Sequence, residues 1–212
     1  MPSPSRRRQQ RLRLLWRSAG WPSQDLLEVE LLAAGWVERL CDPDGRERLR
    51  VTDAGVAVIA DSLARNRAAR DAHETLVERV ATEMQRAGRI AWRGLSLRAG
   101  LPREDGGMQW VNAMPDVYSL RHSTVEDYLE PAIHENKVSR ADLIGDAKWP
   151  DYLDFCDRFF WGLPPQLDRA CLEGEGFRPE CCGVIVADGY DAEIVRPAPL
   201  QPLAAARRKV EV

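Results

Sequence analysis

Two carboxylates and one ammonium stand where they could act together. Pro115-Asp116 opens one apolar segment and Glu135-Asn136-Lys137 closes another, with 18 residues between Asp116 and Glu135. Side chains alternate across an extended strand, so Glu135 and Lys137 share one face and Asn136 takes the other. With the two segments paired as neighbouring strands, Asp116 joins that face. Such a set suits a hard divalent cation, because Mg2+ takes oxygen ligands and keeps several of its waters. A metal held there stabilises charge developing on a phosphodiester. The lysine positions the attacking water or helps to deprotonate it, which arginine cannot do. The choice of lysine is pointed: the chain has 27 arginines and three lysines, Lys137, Lys148 and Lys209.

The elements that must carry these groups can be read from hydrophobic spacing. Ala72, Leu76, Val80 and Met84 fall on one helical face, which predicts an amphipathic helix over 71–87. Ile90–Leu97 alternates as a strand, 99–110 is Gly-, Pro- and acid-rich and reads as loop, and Val117–Leu120 and Pro131–Val138 read as short strands. Ser139 starts a helix that includes Trp149 and Phe155, with a break or a fresh first turn at Pro150. Arg158–Leu163 and Gly183–Ala187 are apolar runs of strand length, as expected of strands buried on both faces. The order α-β-β-β-α-β-β implies an α/β domain with a mixed sheet.

The first part of the chain reads differently. Leu12, Leu15 and Trp16 share one face over 6–18, and Pro22-Ser23 offers a second helix carrying Leu26, Leu27, Leu31 and Leu32. Gly35 ends it. Trp36–Leu40 and Arg46–Val51 form a ribbon around Asp42-Pro43-Asp44-Gly45, and Thr52 caps a further helix. Arg65–Arg70 is either a charged linker or a helical continuation. The order helix, helix, two-stranded ribbon, helix resembles the winged helix of bacterial regulators over about residues 6–65, through LLAAGWVERLCDPDGRERLRVTDAG. That resemblance implies DNA contact by Arg46, Arg48 and Arg50 of the wing, although such modules also serve as protein-interaction domains.

Composition sets outer limits. At 212 residues, 44% hydrophobic and 30% charged, the chain can build a real core and is not a disordered one. No apolar run is long enough to span a membrane, and the basic N-terminal stretch is followed by no apolar signal region. Cys41, Cys156, Cys171, Cys181 and Cys182 make an odd number without a C-x-x-C pair, which argues against a disulfide framework or structural zinc and for a cytoplasmic location. Residues 1–70 hold 13 arginines against 9 acids, whereas the remainder is acidic. Nucleic-acid contact is therefore expected to begin at the N-terminal end. There is no Walker loop, G-x-G-x-x-G or Ser/His/Asp array.

Asp116, Glu135 and Lys137 together resemble the PD-(D/E)XK nuclease superfamily, with its restriction-endonuclease-like fold. LVERVATEMQRAGRIAWR (76–93) is similar to the opening helix and first strand of archaeal Holliday-junction resolvases in that superfamily. The resemblance implies a third metal carboxylate at Glu78, with Glu74 the alternative one turn earlier, and a main-chain ligand at Asn136. HENKVSRADLIGDAKWPDYLDFCDRFFWGLPP (134–165), GVIVADGYDAEIVRPAP (183–199) and AAARRK (204–209) strongly resemble the MmcB family of bacterial DNA-repair proteins. Asn136 departs from the usual apolar middle residue, and a buried amide there must find partners or cost about 1–3 kcal/mol. The polar segment Arg121–Glu130 also makes a longer connection than a tight hairpin.

Lys148, on the helix after Glu135, matches a phosphate-contacting position of related nucleases, with Arg140 and Arg158 as weaker phosphate candidates. His134 is expected to point away from the metal face, and His73 could reach the site from the first helix.

The sequence therefore predicts a winged helix-turn-helix over 1–68 followed by a restriction-endonuclease-like αβββαββ core over 69–212. The expected activity is a Mg2+ (or Mn2+) dependent deoxyribonuclease of DNA repair or processing. Asp116, Glu135 and Lys137 are the catalytic set; Glu78, Asp116, Glu135 and Asn136 form the metal shell; Arg46, Arg48, Arg50, Arg140 and Lys148 contact DNA. No membrane partner is expected, and a homodimer or a protein partner through the winged helix stays open. The rival is a non-catalytic DNA-binding or regulatory protein with a degenerate nuclease-like domain.

Overall fold

The computed structural model describes residues 4–18, 20–102, 108–125 and 128–201. The chain divides into two compact units, Met1–Arg70 and Asp71–Val212.

In the first unit, α1 (Arg6–Arg17) starts at Ser5 and buries Leu12 and Leu15. Trp16, expected on the same stripe, is exposed. Helix α2 (Leu26–Ala33) begins at Asp25, not at Pro22-Ser23, because the Asp25 carboxylate accepts the Glu28 N–H at 3.0 Å. Leu31 is its buried contact, while Leu26 faces solvent. Gly35 ends it in the left-handed conformation, at φ +69°. Strands β1 (Val37–Cys41) and β2 (Glu47–Val51) pair antiparallel from Val37↔Val51, and the Arg46 N–H closes their turn on Asp42 Oδ1 at 2.8 Å. Thr52 Oγ1 accepts the Gly55 N–H and caps α3 (Asp53–Arg86).

This 34-residue helix continues from one unit into the other. Residues 65–70 hold no glycine or proline to break it, so the continuation prevails over the linker. Its later turns bury Leu76, Val77, Val80, Ala81 and Met84.

In the second unit a six-stranded mixed sheet runs β10-β9-β8-β7-β6-β3. Its strands are β3 (Arg89–Arg93), β6 (Val117–Arg121), β7 (Ala132–Asn136), β8 (Arg158–Leu163), β9 (Cys182–Ala187) and β10 (Ala192–Arg196). Strands β7, β8 and β9 are parallel, and β3–β6, β6–β7 and β9–β10 are antiparallel. The mixed α/β class is the one the sequence predicts.

One face of the sheet packs Val117, Phe160, Ile185 and Ala187 with the apolar stripe of α3. The other packs Ile133, Phe159, Trp161 and Leu163 with Leu143 and Trp149. Leu143 lies in α4 (Arg140–Gly145) and Trp149 in α5 (Trp149–Tyr152), the crossover between parallel β7 and β8. Pro150 sits in the first turn of α5, the fresh start expected there, since its ring lacks the N–H an interior helical residue must donate.

Two further elements differ from expectation. Ile90–Leu97 is not one strand, because Gly94 at φ +59° turns the chain after β3. The segment expected as loop holds a hairpin of β4 (Leu97–Pro102) and β5 (Met108–Ala113), paired from Leu97↔Ala113. Buried Leu97 and Ala113 and the Arg98 guanidinium, 4.2 Å from the Trp110 ring centre, stabilise pairing that composition alone hides. The edge strand β10 has no strong apolar run, and a turn in which Asp188 Oδ1 accepts the Tyr190 and Asp191 N–H groups leads into it. Among the described residues no helix is long and apolar enough to cross a membrane.

Candidate active site

The antiparallel β6–β7 pairing begins at Val117↔His134, which places Asp116 beside Glu135. A main-chain bond locks this corner: the Asn136 N–H donates to Asp116 Oδ2 at 2.7 Å. His73 Nε2, from α3, lies 3.2 Å from the same oxygen. Glu135 Oε1 lies 2.9 Å from Lys137 Nζ, as their shared strand face requires. Lys137 Nζ also reaches Asp146 Oδ2, at 2.8 Å. Asp146 follows α4, and its other oxygen accepts the N–H groups of Lys148 and Trp149, so capping α5 also fixes it in the site.

The groups are sunk into the fold. Glu135 is 7% and Lys137 8% exposed, while Asp116 and His73 are more open and form the mouth. Two carboxylates, Glu135 and Asp146, hold the Lys137 ammonium, and Asp116 stands beside Glu135. Burial pushes the Glu135 carboxyl up to about 7, and Asp116 adds to the rise while Lys137 opposes it. For Lys137 burial favours the neutral form, but the attraction of Glu135 and Asp146 outweighs it and the amine rises above its ordinary value. Lys137 thus sits between two acids as a hydrogen-bond donor to Glu135 and Asp146. Its hydrogen bond to Asp116 raises His73. Tyr152, half-buried beside the acids, is pushed up to about 12, chiefly by burial.

The donor set fits a hard cation in part. Glu135 Oε2 is buried with no partner among the described residues, an arrangement that costs free energy unless something cationic or protic fills the gap. The free oxygens of Asp116 and Glu135 suit Mg2+, which often takes only one or two protein carboxylates and keeps its waters. Among the described residues no three His, Cys, Asp or Glu side chains are gathered to hold a metal.

Glu78 departs from the expected shell. It is exposed, and five positions along a 100°-per-residue helix turn it well away from His73, the α3 residue that does meet Asp116. Glu74 is exposed beside His73. Asn136 turns to the α3 face as alternation demands, yet its Oδ1 and Nδ2 are buried without partners among the described residues. His134 lies on that same face, stacked on Phe160 at 5.1 Å. Burial drops its pKa to about 3.

Lys148 and Arg140 are exposed on the segment that supplies Asp146. In the first unit Arg46 and Arg48 of the β1–β2 ribbon are exposed, whereas the Arg50 Nε is held by Glu38 Oε1. Arg158, the weaker phosphate candidate, is tied to Glu130 and the Ala198 carbonyl. The AAARRK string (204–209) lies outside the described residues.

Sequence reasoning missed Asp146 entirely. Its only local signal was an acid preceding the Trp149-Pro150 helix start, where a cap is expected.

The fold and the site thus define a mixed α/β protein with a buried acid–lysine cluster where two antiparallel strands meet. Residues 122–212, somewhat under half of the chain, match the family described as DNA repair protein MmcB-like. Among solved structures, the chain is similar to the SPO1766 protein of unknown function from Silicibacter pomeroyi, at 35% identity. That likeness covers 65% of this chain and 79% of that one, with a TM-score of 0.48. No curated protein matches the chain.

Proposed function

We propose that this protein acts in DNA repair or processing as a metal-dependent deoxyribonuclease of the PD-(D/E)XK type. The observation that carries the reading is the buried, unpartnered Glu135 Oε2 beside Asp116 and Lys137 on paired strands. Asp116, Glu135 and the Asn136 main chain would hold Mg2+ or Mn2+. A divalent cation there would supply Lewis-acid stabilisation of charge on the phosphodiester. Asp116 is pre-oriented by the Asn136 N–H, and Lys137 offers a fixed ammonium to a water or a phosphate oxygen. Exposed Arg140 and Lys148 stand ready for the DNA backbone on the same segment as Asp146, a sequence-independent contact. The order α1, α2, β1, β2, α3 supports a winged helix in the first unit, with Arg46 and Arg48 free to meet phosphates while Glu38 neutralises Arg50.

Plasmid and single-stranded DNA incubated with Mg2+ or Mn2+ test the reading. Cleavage by the wild type, absent from Glu135→Gln and Lys137→Met, is expected. Calorimetric titration with Mn2+ should show one site in the wild type and none in Glu135→Gln.

A second reading, a DNA-binding relative that does not cut, is favoured by the two ion pairs, to Glu135 and Asp146, that already engage Lys137. Salt-sensitive DNA binding by all three proteins, without cutting or metal binding, would establish it and overturn the first.

A further inference from the structure

At the far end of β7 from Glu135, and on its other face, lies a cavity of about 270 Å³. Met84 and Ala87 of α3, Phe160 of β8, and Ile194 and Pro197 beyond β9 give it apolar walls. Its charged lining is one-sided, with Arg89, Arg121 and Arg158 against the single carboxylate of Glu130.

Glu130 is already shared. Its Oε1 lies 2.9 Å from Arg158 Nε and 3.6 Å from Arg89 Nη1. Arg89 spends its remaining donors on Ser119 and the Glu130 carbonyl. Burial pulls the Arg89 guanidinium below its usual value, with Glu130 pulling the other way. Arg121 is exposed and has no side-chain partner among the described residues. The wall also contains the His134 ring, wholly buried, whose Nδ1 has no partner among the described residues while Nε2 meets Ser119 Oγ at 3.2 Å. Arg121 leaves its guanidinium donors open at the rim, and the buried His134 Nδ1 is a polar atom without a partner among the described residues, so the arginine-lined side has donors left for an incoming acid group.

The geometry points to a binding site for a small organic anion, a carboxylate or phosphate monoester with a compact apolar or aromatic body. The body packs on Phe160 and Met84, and the acid group meets Arg121 and the outer edge of Arg158. Arginine suits this task because its planar fork takes carboxylate or phosphate oxygens in pairs. The site is separate from the acid–lysine cluster and does not depend on the nuclease reading.

Phenyl phosphate, benzoate and benzyl alcohol titrated calorimetrically into the full chain form the test. One or both anions should bind at a single site, and their ranking distinguishes a phosphate ligand from a carboxylate. Arg121→Ala should weaken binding about tenfold, the value of one charge-assisted contact. Ala87→Trp should abolish it by filling the mouth. Both positions are exposed, so each variant keeps its core. The proposal is overturned if neither anion binds at millimolar concentration, if benzyl alcohol binds as tightly as the anions, or if both variants bind like the wild type.

Discussion

Lys137, at the end of β7, and Asp146, in the loop after α4, form a buried ion pair at 2.8 Å, and Glu135 meets the same ammonium at 2.9 Å. The pair ties the end of β7 to the crossover helices. It also explains how three carboxylates tolerate proximity.

Removing the ammonium should therefore be costly. Lys137→Met leaves Glu135 and Asp146 buried without their shared counter-charge, and a loss of about 3–5 kcal/mol in urea unfolding is expected. Asp146→Asn should cost less, because Glu135 still pairs with Lys137 and the asparagine oxygen can still cap α5. Equal losses in the two variants would contradict this division of roles.

Gly162 and Asn136 should be coupled. A Cβ on Gly162 would stand 1.9 Å from Asn136 Oδ1 and 3.0 Å from Asn136 Cγ. Gly162→Ala is expected to destabilise the fold by about 1–3 kcal/mol through overpacking. In an Asn136→Ala background most of that penalty should vanish, which a double-mutant cycle measures directly. Additive losses would show that the clash lies elsewhere. Asn136→Val alone should raise stability by about 1 kcal/mol, since it removes two unpartnered polar atoms from the interior.

His134 sets an acid limit on stability. Its ring titrates near 3 in the folded chain, against an ordinary value of 6.5. Between those values the unfolded chain takes up a proton that the folded chain excludes, so stability is lost as pH falls from about 6.5 towards 3. His134→Gln should flatten the denaturation midpoint between pH 6.5 and 5 relative to the wild type. An unchanged slope would mean that the ring is charged or exposed in the folded state.

In the first unit, Glu28 is 2% exposed and accepts the Ser23 and Gln24 N–H groups while Arg11 Nη1 lies 3.1 Å away. Glu28→Ala strands two main-chain donors and removes one of the two carboxylates that hold Arg11, whose Nη2 keeps Asp25 Oδ2 at 2.6 Å. A loss of about 3–5 kcal/mol is expected, with Glu28→Gln intermediate. Thermal unfolding followed by circular dichroism checks the order of the three proteins.

Much of the framework was readable because it rests on local rules. Side-chain alternation put Glu135 and Lys137 on one face, the Asp-Pro-Asp-Gly turn marked the β1–β2 ribbon, and the Leu76–Val80–Met84 stripe marked the buried side of α3. The β4–β5 hairpin was hidden, because cross-strand burial and an Arg98–Trp110 contact stabilise it against a Gly-, Pro- and acid-rich composition. The third acid was hidden too. The resemblance implied a helix acid at Glu78 or Glu74; both are exposed, whereas His73 of the same helix meets Asp116 and Asp146 reaches Lys137 from the loop after α4.

By itself, then, the amino-acid order determined which residues alternate, where chain turns fall, and that Asp116, Glu135 and Lys137 could share a strand-borne corner. Only the tertiary structure decided which side chains from distant segments complete that corner, and that Arg89 and Arg158 share Glu130 beside Arg121 near the opposite end of the same strand. The reason is physical: alternation and capping act over a few residues, whereas the docking angle of a helix and the path of a crossover depend on how whole faces pack.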